Sequence, residues 1–169
     1  MTGELIDVVD DEDNVLMQVT WKEMNEKSLL HRAANIFVFN SKDMIFLHRR
    51  NRNLPLYPGM YDVKVGGVVQ AGESYEEAAR RELKEELGIE GTKLEYLFDL
   101  KFRSQHNNNN RKVFRCVYDG RIKLQPEEVE EGKFVSLEEA KKMLEQGKLS
   151  PSAVAVFKEY LKLNGGKMC

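Results

Sequence analysis

A strand end, a loop with two glycines and an acidic helix follow one another in the middle of the chain. Residues 65–69 contain the two glycines, and glycine in a strand marks a place where backbone can approach a ligand closely. Ser74 and Glu77 have the spacing of a capping box, which predicts a helix from Tyr75 to Leu87. Gly88 follows where a left-handed residue would end that helix. Such a strand–loop–helix unit can aim a backbone carbonyl and several side chains at one point.

Three glutamates crowd one side of this helix. At about 100° per residue, Glu82 and Glu86 lie about 40° apart, and Glu85 lies about 60° from Glu82 on the other side. Like charges one turn apart destabilise a helix, so the cluster needs a reason. A solvated surface would explain the glutamates alone. Together with the glycine loop, they favour a site for a hard divalent cation, Mg²⁺ or Mn²⁺.

The composition of the 169-residue chain excludes several classes of protein. Hydrophobic residues make up 41% and the net charge is −2, which predicts one domain over residues 1–169 and no nucleic-acid or anionic-membrane partner. No apolar run approaches about 18 residues, so no membrane span is expected. The N-terminus lacks the pattern of a signal peptide, and Cys116 and Cys169 do not make a disulfide framework. We therefore expect a cytoplasmic protein, and its oligomeric state stays open.

The order of elements predicts mostly strands around one early helix, with two helices at the end. Residues 1–30 are predicted to form an N-terminal hairpin, with strands near 5–9 and 15–17, followed by a connecting segment whose structure the pattern leaves open. Later strands are expected near 33–39, 44–48, 63–69, 94–103, 111–118 and 133–135, with a polar hairpin loop at 106–110. Ser136 and Ser150 are expected to cap the last two helices. This order favours an α/β or α+β layered domain.

A family resemblance covers the glycine loop and the acidic helix. The residues that carry it are Gly67, Glu73 and the run Arg81-Glu82-Leu83-Lys84-Glu85-Glu86-Leu87-Gly88-Ile89. They resemble the Nudix box, Gx5Ex7REUxEExGU with U aliphatic, and every fixed position is filled. The resemblance implies an α/β/α sandwich with a central mixed sheet, to which the N-terminal hairpin would be an extension. It also implies hydrolysis of a nucleoside diphosphate linked to another moiety, with Mg²⁺ as cofactor.

The same resemblance implies roles for individual residues of the box. Glu82, Glu85 and Glu86 are expected to bind the metal, and one of these carboxylates is expected to act as the general base. Arg81 is expected to orient these carboxylates. Gly67 would offer its carbonyl to the metal, and Glu73 would support the loop.

Two further groups of residues are candidates outside the box. Glu128 precedes a short strand, in a pattern similar to that of a late acidic residue of the family, although a solvated acidic turn is nearly as good an interpretation. Arg49 and Arg50 end a strand and are expected to bind the diphosphate, since the arginine fork matches phosphate oxygens. A strand that continues through them would point one of the two inward.

Three functions remain to be compared. Segments around His31, residues 46–50 and residues 57–62 resemble the Nudix branch that includes isopentenyl diphosphate isomerase. Those enzymes carry a cysteine and a histidine before the box, but an ungapped alignment places Gly66 and Val68 there, and a later essential glutamate aligns roughly with Lys112. A catalytically silent domain would show losses in the box, and there are none. A metal-dependent hydrolase of a small-molecule diphosphate is therefore preferred, and the sequence leaves its substrate open.

Overall fold

The computed structural model describes residues 3–165, with nine strands and four helices in that range. The strands are β1 (Leu5–Val9), β2 (Val15–Thr20), β3 (His31–Phe39), β4 (Ile45–Arg50), β5 (Tyr61–Asp62), β6 (Val65–Val68), β7 (Glu95–Phe102), β8 (Asn109–Val117) and β9 (Val129–Val135). The helices are α1 (Trp21–Glu26), α2 (Tyr75–Leu87), α3 (Leu137–Glu145) and α4 (Pro151–Leu163).

Seven of the strands form one mixed sheet. The order along it is β5-β4-β3-β8-β7, with β6 paired to β3 and β9 paired to β4. Strands β3 and β8 run parallel, from His31 beside Asn109 to Phe39 beside Val117, and the other pairs are antiparallel. The long, largely buried β3 lies inside the sheet, as expected for a strand covered on both faces.

Helices cover both faces of this sheet, because alternate side chains of β3 point to opposite sides. Ile36 and Val38 pack with Leu83 and its apolar neighbours on α2. Phe37 and Phe39 pack with residues of α3 and α4 on the other face. The predicted α/β/α sandwich with a central mixed sheet is confirmed.

The N-terminal hairpin forms a separate two-stranded sheet of β1 and β2. Helix α1 occupies the connecting segment whose structure the sequence left open, and Thr20 caps it by accepting a hydrogen bond from the Glu23 N–H at 3.1 Å. Buried Met24 of α1 packs with Ile6 of the hairpin, and Val68 of β6 packs against the same cluster. This packing attaches the extension to the main domain beside the glycine loop.

The predicted polar loop at 106–110 differs from the observed structure. Asn109 and Asn110 begin β8, where they pair with His31 and Arg32 of β3, and both are buried. The parallel pairing extends β8 toward its amino end, which the polar composition of the segment concealed.

None of the helices in residues 3–165 has the length and apolar character that a membrane crossing requires. Cys116 is buried, whereas Cys169 lies outside the described residues.

Candidate functional site

Capping groups define both ends of helix α2, and its buried face sets its orientation. The Ser74 hydroxyl accepts a hydrogen bond from the Glu77 N–H at 3.1 Å, and the Glu77 carboxylate accepts one from the Ser74 N–H at 2.8 Å. Gly88 ends the helix with a left-handed φ of 68°. The apolar arc of the helix, with Leu83 and Leu87, is buried against the sheet. This packing sets the rotation of α2 and therefore the direction of its glutamates.

The glycine loop lies directly beside one of these glutamates. Gly67 in β6 pairs with Ala34 in β3, which fixes the position of its backbone. A Cβ added to Gly67 would overlap the Glu82 carboxylate, with the carboxyl carbon 2.8 Å away. Glycine is therefore needed here so that the carboxylate can lie against the loop.

Arg81 connects the loop to the helix. Its Nε donates to Glu73 Oε1 at 2.6 Å, and its Nη2 donates to Glu73 Oε2 and to the Val68 carbonyl, both at 3.0 Å. Its Nη1 donates to Glu82 Oε1 at 2.9 Å. The Gln70 N–H donates to Glu73 Oε2 at 2.9 Å, so Glu73 also holds the loop backbone. Arg81 therefore fixes the position of the Glu82 carboxylate relative to the loop.

Two glutamates of the site are buried and close enough to repel each other. Glu82 and Glu86 are 5% and 7% exposed. Burial raises the pKa of the Glu82 carboxyl to about 7, and Glu85 and Glu128 add to the rise while Arg81 opposes it. Burial, followed by the charges of Glu82 and Glu128, raises the pKa of the Glu86 carboxyl well above its usual value. Buried like charges of this kind are stabilised by a cation.

The carboxylate oxygens of the glutamates and the Gly67 carbonyl oxygen are the kind of ligand that a hard divalent cation prefers. Gly67, Glu82, Glu86 and Glu128 line one cavity of about 350 Å³. Glu85 is half-exposed, contacts Arg81 at 3.4 Å and is absent from the cavity lining. Within residues 3–165, no three His, Cys, Asp or Glu side chains are grouped as a ready metal site. The carboxylates therefore share a cavity without converging as ligands, consistent with their repulsion and with the hold of Arg81 on Glu82.

Of the two arginines that were expected to bind phosphate, only one lines the cavity. Arg50 lines the cavity, and its Nε and Nη2 donate to the Leu56 carbonyl at 3.2 and 3.0 Å. Arg49 instead donates to Glu130 Oε2 at 2.9 Å and does not line the cavity. The alternation of the strand allows one neighbour inward, and that neighbour is Arg50.

A buried ion pair beside the glycine loop was missed in the sequence. Lys64 Nζ lies 3.3 Å from Asp62 Oδ2, with the two side chains 8% and 1% exposed. The Ser150 hydroxyl also donates to Asp62 Oδ2 at 3.3 Å, and the His48 ring contacts the Lys64 carbonyl at 2.8 Å. Asp62-Val63-Lys64-Val65 alternates charged and apolar residues, as a half-exposed strand does, so the pattern by itself does not indicate that these two charges are buried.

Arg111 is a second missed residue. It is buried in β8, with its guanidinium 4.1 Å from the centre of the Phe102 ring. Its Nε donates to Asn109 Oδ1 at 2.6 Å and its Nη1 donates to the Ser152 carbonyl at 3.2 Å. Burial lowers the pKa of the Arg111 guanidinium to about 10. Arg111 and Lys64 line the same cavity as the glutamates.

Helix α1 and a loop also contribute to this cavity. Trp21 and Met24 lie on the side of α1, and the loop provides apolar residues at 54–57. His31 lines it as well, while its Nδ1 contacts the Leu29 carbonyl at 2.9 Å. The cavity therefore combines an acidic cluster, buried cations and an apolar wall.

Comparison with known proteins agrees with this arrangement. The family model of the NUDIX domain matches residues 29–155. An uncharacterized Nudix hydrolase of Pseudomonas aeruginosa is 38% identical over 145 residues, which cover 83% of this chain and 86% of that protein. The Nudix hydrolase YfcD of Escherichia coli K12 is 37% identical over 136 residues, covering 80% and 76% of the two chains.

Solved structures give the same result. The crystal structure of DR0079 from Deinococcus radiodurans superposes with a TM-score of 0.81 at 26% identity, covering 92% of this chain and 98% of that one. A MutT protein from Methanosarcina mazei superposes with a TM-score of 0.67 at 27% identity, covering 82% and 96%. With the matched family model and relatives above 30% identity, the chain belongs to the Nudix hydrolase family.

Proposed function

We propose that this hydrolase cleaves the diphosphate linkage of a nucleoside diphosphate or of a nucleoside-diphosphate conjugate, with Mg²⁺ or Mn²⁺ as cofactor. The observation that carries the proposal is the buried pair Glu82 and Glu86, with the half-buried Glu128, around the cavity that Gly67 lines. A cluster of buried carboxylates with raised pKa values is matched by a divalent cation and by the phosphates that such a cation carries.

The proposed metal ligands are Glu82, Glu86 and the Gly67 carbonyl, with the half-exposed Glu85 as a further carboxylate. Bound metal would neutralise the diphosphate and lower the pKa of the attacking water. Arg81 would orient Glu82 through its fork to Glu73, and Arg50 would contact phosphate oxygens from the cavity wall. Arg49 has less support in the same role, because it pairs with Glu130 and does not line the cavity.

The proposed reaction is attack of water on phosphorus. The water oxygen forms a bond to phosphorus, the bridging P–O bond breaks, and Glu128 or a glutamate of α2 accepts the proton of the water. Positioning and charge stabilisation supply most of the rate in phosphoryl transfer, which suits a rigid site of this kind. A small-molecule substrate is expected, because the net charge of −2 does not favour a polyanion as partner.

A panel of nucleoside diphosphates, their conjugates and dinucleoside polyphosphates, each with Mg²⁺ or Mn²⁺, tests the proposal. Phosphate release and product identity are measured, and reactions in ¹⁸O-labelled water report which phosphorus is attacked. We expect hydrolysis of at least one compound, abolished by EDTA. No hydrolysis of any compound, with a melting temperature that is indifferent to both metals, would instead favour a domain that only binds a ligand.

The isomerase of isopentenyl diphosphate is the weaker candidate. Gly66, at the position aligned with the cysteine of those enzymes, has a φ of 148°, and a Cβ there would overlap the Ala34 carbonyl oxygen. Lys112, near the position of their glutamate, donates to Asp99 at 3.0 Å and does not line the cavity. Both features count against proton transfer to and from carbon in this cavity.

A further inference from the structure

Arg111 is a buried cation that forms no salt bridge within residues 3–165, although the charge of Asp62 acts on it from beyond salt-bridge distance. It is 3% exposed, and it donates hydrogen bonds to two neutral acceptors, Asn109 Oδ1 and the Ser152 carbonyl. Among residues 3–165, no carboxylate forms a salt bridge with it. Removing an unpaired charge from water is costly, so a buried guanidinium that faces a cavity indicates a missing anionic partner.

Lys64 adds a second buried cation to the same cavity. Its side chain is 8% exposed and lies 3.3 Å from the Asp62 carboxylate, and its charge also acts on Glu86. Asp62 does not line the cavity, whereas Lys64, Arg111 and Arg50 do. Away from the carboxylates of the acidic cluster, the lining therefore carries positive charge that protein groups only partly neutralise.

The strand register separates the Arg111 backbone from the metal loop, whereas Lys64 lies close to that loop in the chain. Arg111 pairs with Ala33, and Ala33 pairs with Val68, which follows Gly67. Neighbouring strands lie about 4.8 Å apart, so the Arg111 backbone lies about 10 Å from the loop backbone. Arg111 therefore enters the cavity from β8, and Gly67 and Glu82 line it from β6 and α2.

Two groups pack against the Arg111 guanidinium. The Phe102 ring lies under the guanidinium, and the first turn of α4 holds its Nη1 through the Ser152 carbonyl. Trp21, Leu54 and Tyr57, which line the cavity elsewhere, are partly exposed, so the cavity opens on their side. A ligand therefore meets Arg111 with an end group and leaves its bulkier, apolar part among the aromatic and aliphatic residues at the opening.

Resting on the proposed function, we propose that Arg111 and Lys64 bind the free terminal phosphate of the substrate. The organic part then lies against Trp21 and the loop at 54–57. Because Phe102 and the first turn of α4 pack against Arg111, we expect a second ester on the terminal phosphate to weaken binding there. The preferred substrates are thus nucleoside diphosphates, or other organic diphosphates with an unesterified terminal phosphate, rather than conjugates esterified at both ends.

Binding of inorganic phosphate in EDTA tests the anion site without metal and without turnover. The variants are Arg111→Met and a matched control, Arg115→Met, on the same strand, where Arg115 lies over the Phe39 ring at 4.6 Å. We expect phosphate to raise the melting temperature of wild type and of Arg115→Met, with a Kd about 10- to 100-fold weaker in Arg111→Met. Acetate at the same ionic strength is expected to give a smaller shift.

Equal phosphate affinity in wild type and Arg111→Met would overturn the proposal, as would a wild type that phosphate does not stabilise. An equal shift with acetate would overturn the assignment to phosphate. If Arg111→Met does not fold, Arg111→Lys keeps the charge but loses the planar fork. Weakened phosphate binding in Arg111→Lys would support the proposal, and unchanged binding would contradict it.

Kinetics then test the substrate preference. Wild type is expected to prefer a nucleoside diphosphate over the methyl ester of its terminal phosphate by about 10-fold or more in kcat/KM, and Arg111→Met is expected to lose this preference. Equal kcat/KM values in wild type would overturn the proposal while leaving diphosphate hydrolysis intact. Absence of all hydrolysis would contradict the proposed function, and phosphate binding would still decide whether Arg111 forms an anion site.

Discussion

Gly67 and Glu82 lie so close together that a methyl group on Gly67 would overlap the Glu82 carboxylate. Arg81 holds that carboxylate from the other side, through a hydrogen bond of 2.9 Å to Oε1. The loop backbone and the helix side chain are therefore positioned against each other before any ligand binds. Preorganisation of this kind is what a phosphoryl-transfer site requires.

Gly67→Ala is expected to lower turnover by about 100-fold, because displacement of a reacting group by about 1 Å costs that much. The fold is expected to persist, since Gly67 does not need a positive φ. Steady-state kinetics with Mg²⁺ and a melting curve test both statements. Gly3→Ala is the control, because nothing lies within 4 Å of the added methyl group. Wild-type activity in Gly67→Ala would show that the Glu82 position is not critical.

Glu86→Gln is expected to leave the metal-free protein as stable as wild type or more stable, because it removes a buried charge that Glu82 and Glu128 repel. Most of the Mg²⁺-dependent rise in melting temperature is expected to disappear, and turnover to fall by more than about 100-fold. Melting curves with and without Mg²⁺ measure the first two effects. Glu76→Gln, at an exposed glutamate on the same helix, is the control. A metal-dependent shift retained in Glu86→Gln would contradict its role as a ligand.

The metal-free protein is expected to lose stability as the pH rises from about 4.5 to 7. The pKa of the Glu82 carboxyl is raised from 4.5 to about 7, so the folded state binds its proton more tightly than the unfolded state. Stability from this group is complete at low pH and is lost as the carboxyl ionises. The melting temperature of wild type relative to Glu82→Gln in EDTA should therefore fall between pH 5 and pH 8. A constant difference would argue against the raised pKa.

Mg²⁺ is expected to act in the opposite direction over the same range. Metal binds the ionised carboxylates, so its stabilising effect should grow as the pH rises. Melting temperatures at several pH values, with EDTA or with millimolar Mg²⁺, measure this difference. A metal effect that is equal at pH 5 and pH 8 would mean that Glu82 and Glu86 are not the ligands.

Glu128→Gln is expected to lower kcat by about 100-fold and to change KM much less, as expected for a group that acts on the metal or the water in the transition state. Glu128 lines the cavity, whereas Glu131 is exposed and its carboxylate accepts a hydrogen bond from the Tyr61 hydroxyl at 3.4 Å. Glu131→Gln is therefore the matched control from the same acidic run. If Glu131→Gln abolished activity and Glu128→Gln left it unchanged, the role would belong to Glu131 and not to Glu128.

No isomerisation of isopentenyl diphosphate is expected. Incubation with Mg²⁺ and detection of the dimethylallyl isomer provide the measurement, and formation well above background would reverse the preference for hydrolysis. Gly66→Cys is not expected to create the activity, because its Cβ would overlap the Ala34 carbonyl and the backbone φ of 148° suits glycine. This variant should instead melt at a lower temperature than wild type.

Local chemistry in the sequence was enough to predict the centre of the site. The Ser74–Glu77 capping box and Gly88 set the limits of α2 within the chain itself, and both act over a few residues. The spacing of Glu82 and Glu86 placed them on one helical arc, and the structure buries both. The layered fold followed from the order of elements and the resemblance of the box.

The rest of the cavity depended on contacts between distant residues. Lys64 lies between two valines next to β6, and Arg111 lies in a polar run at the start of β8. Neither local pattern reveals whether the charged side chain faces solvent or a covered cavity. Parallel pairing of β3 with β8 joins residues 78 positions apart and brings Arg111 beside Ala33, while α1 and the loop at 54–57 cover that side. The sequence by itself determined the acidic helix, because its signals are local. Only the tertiary structure decided which charged strand residues are buried, because burial depends on what packs over them.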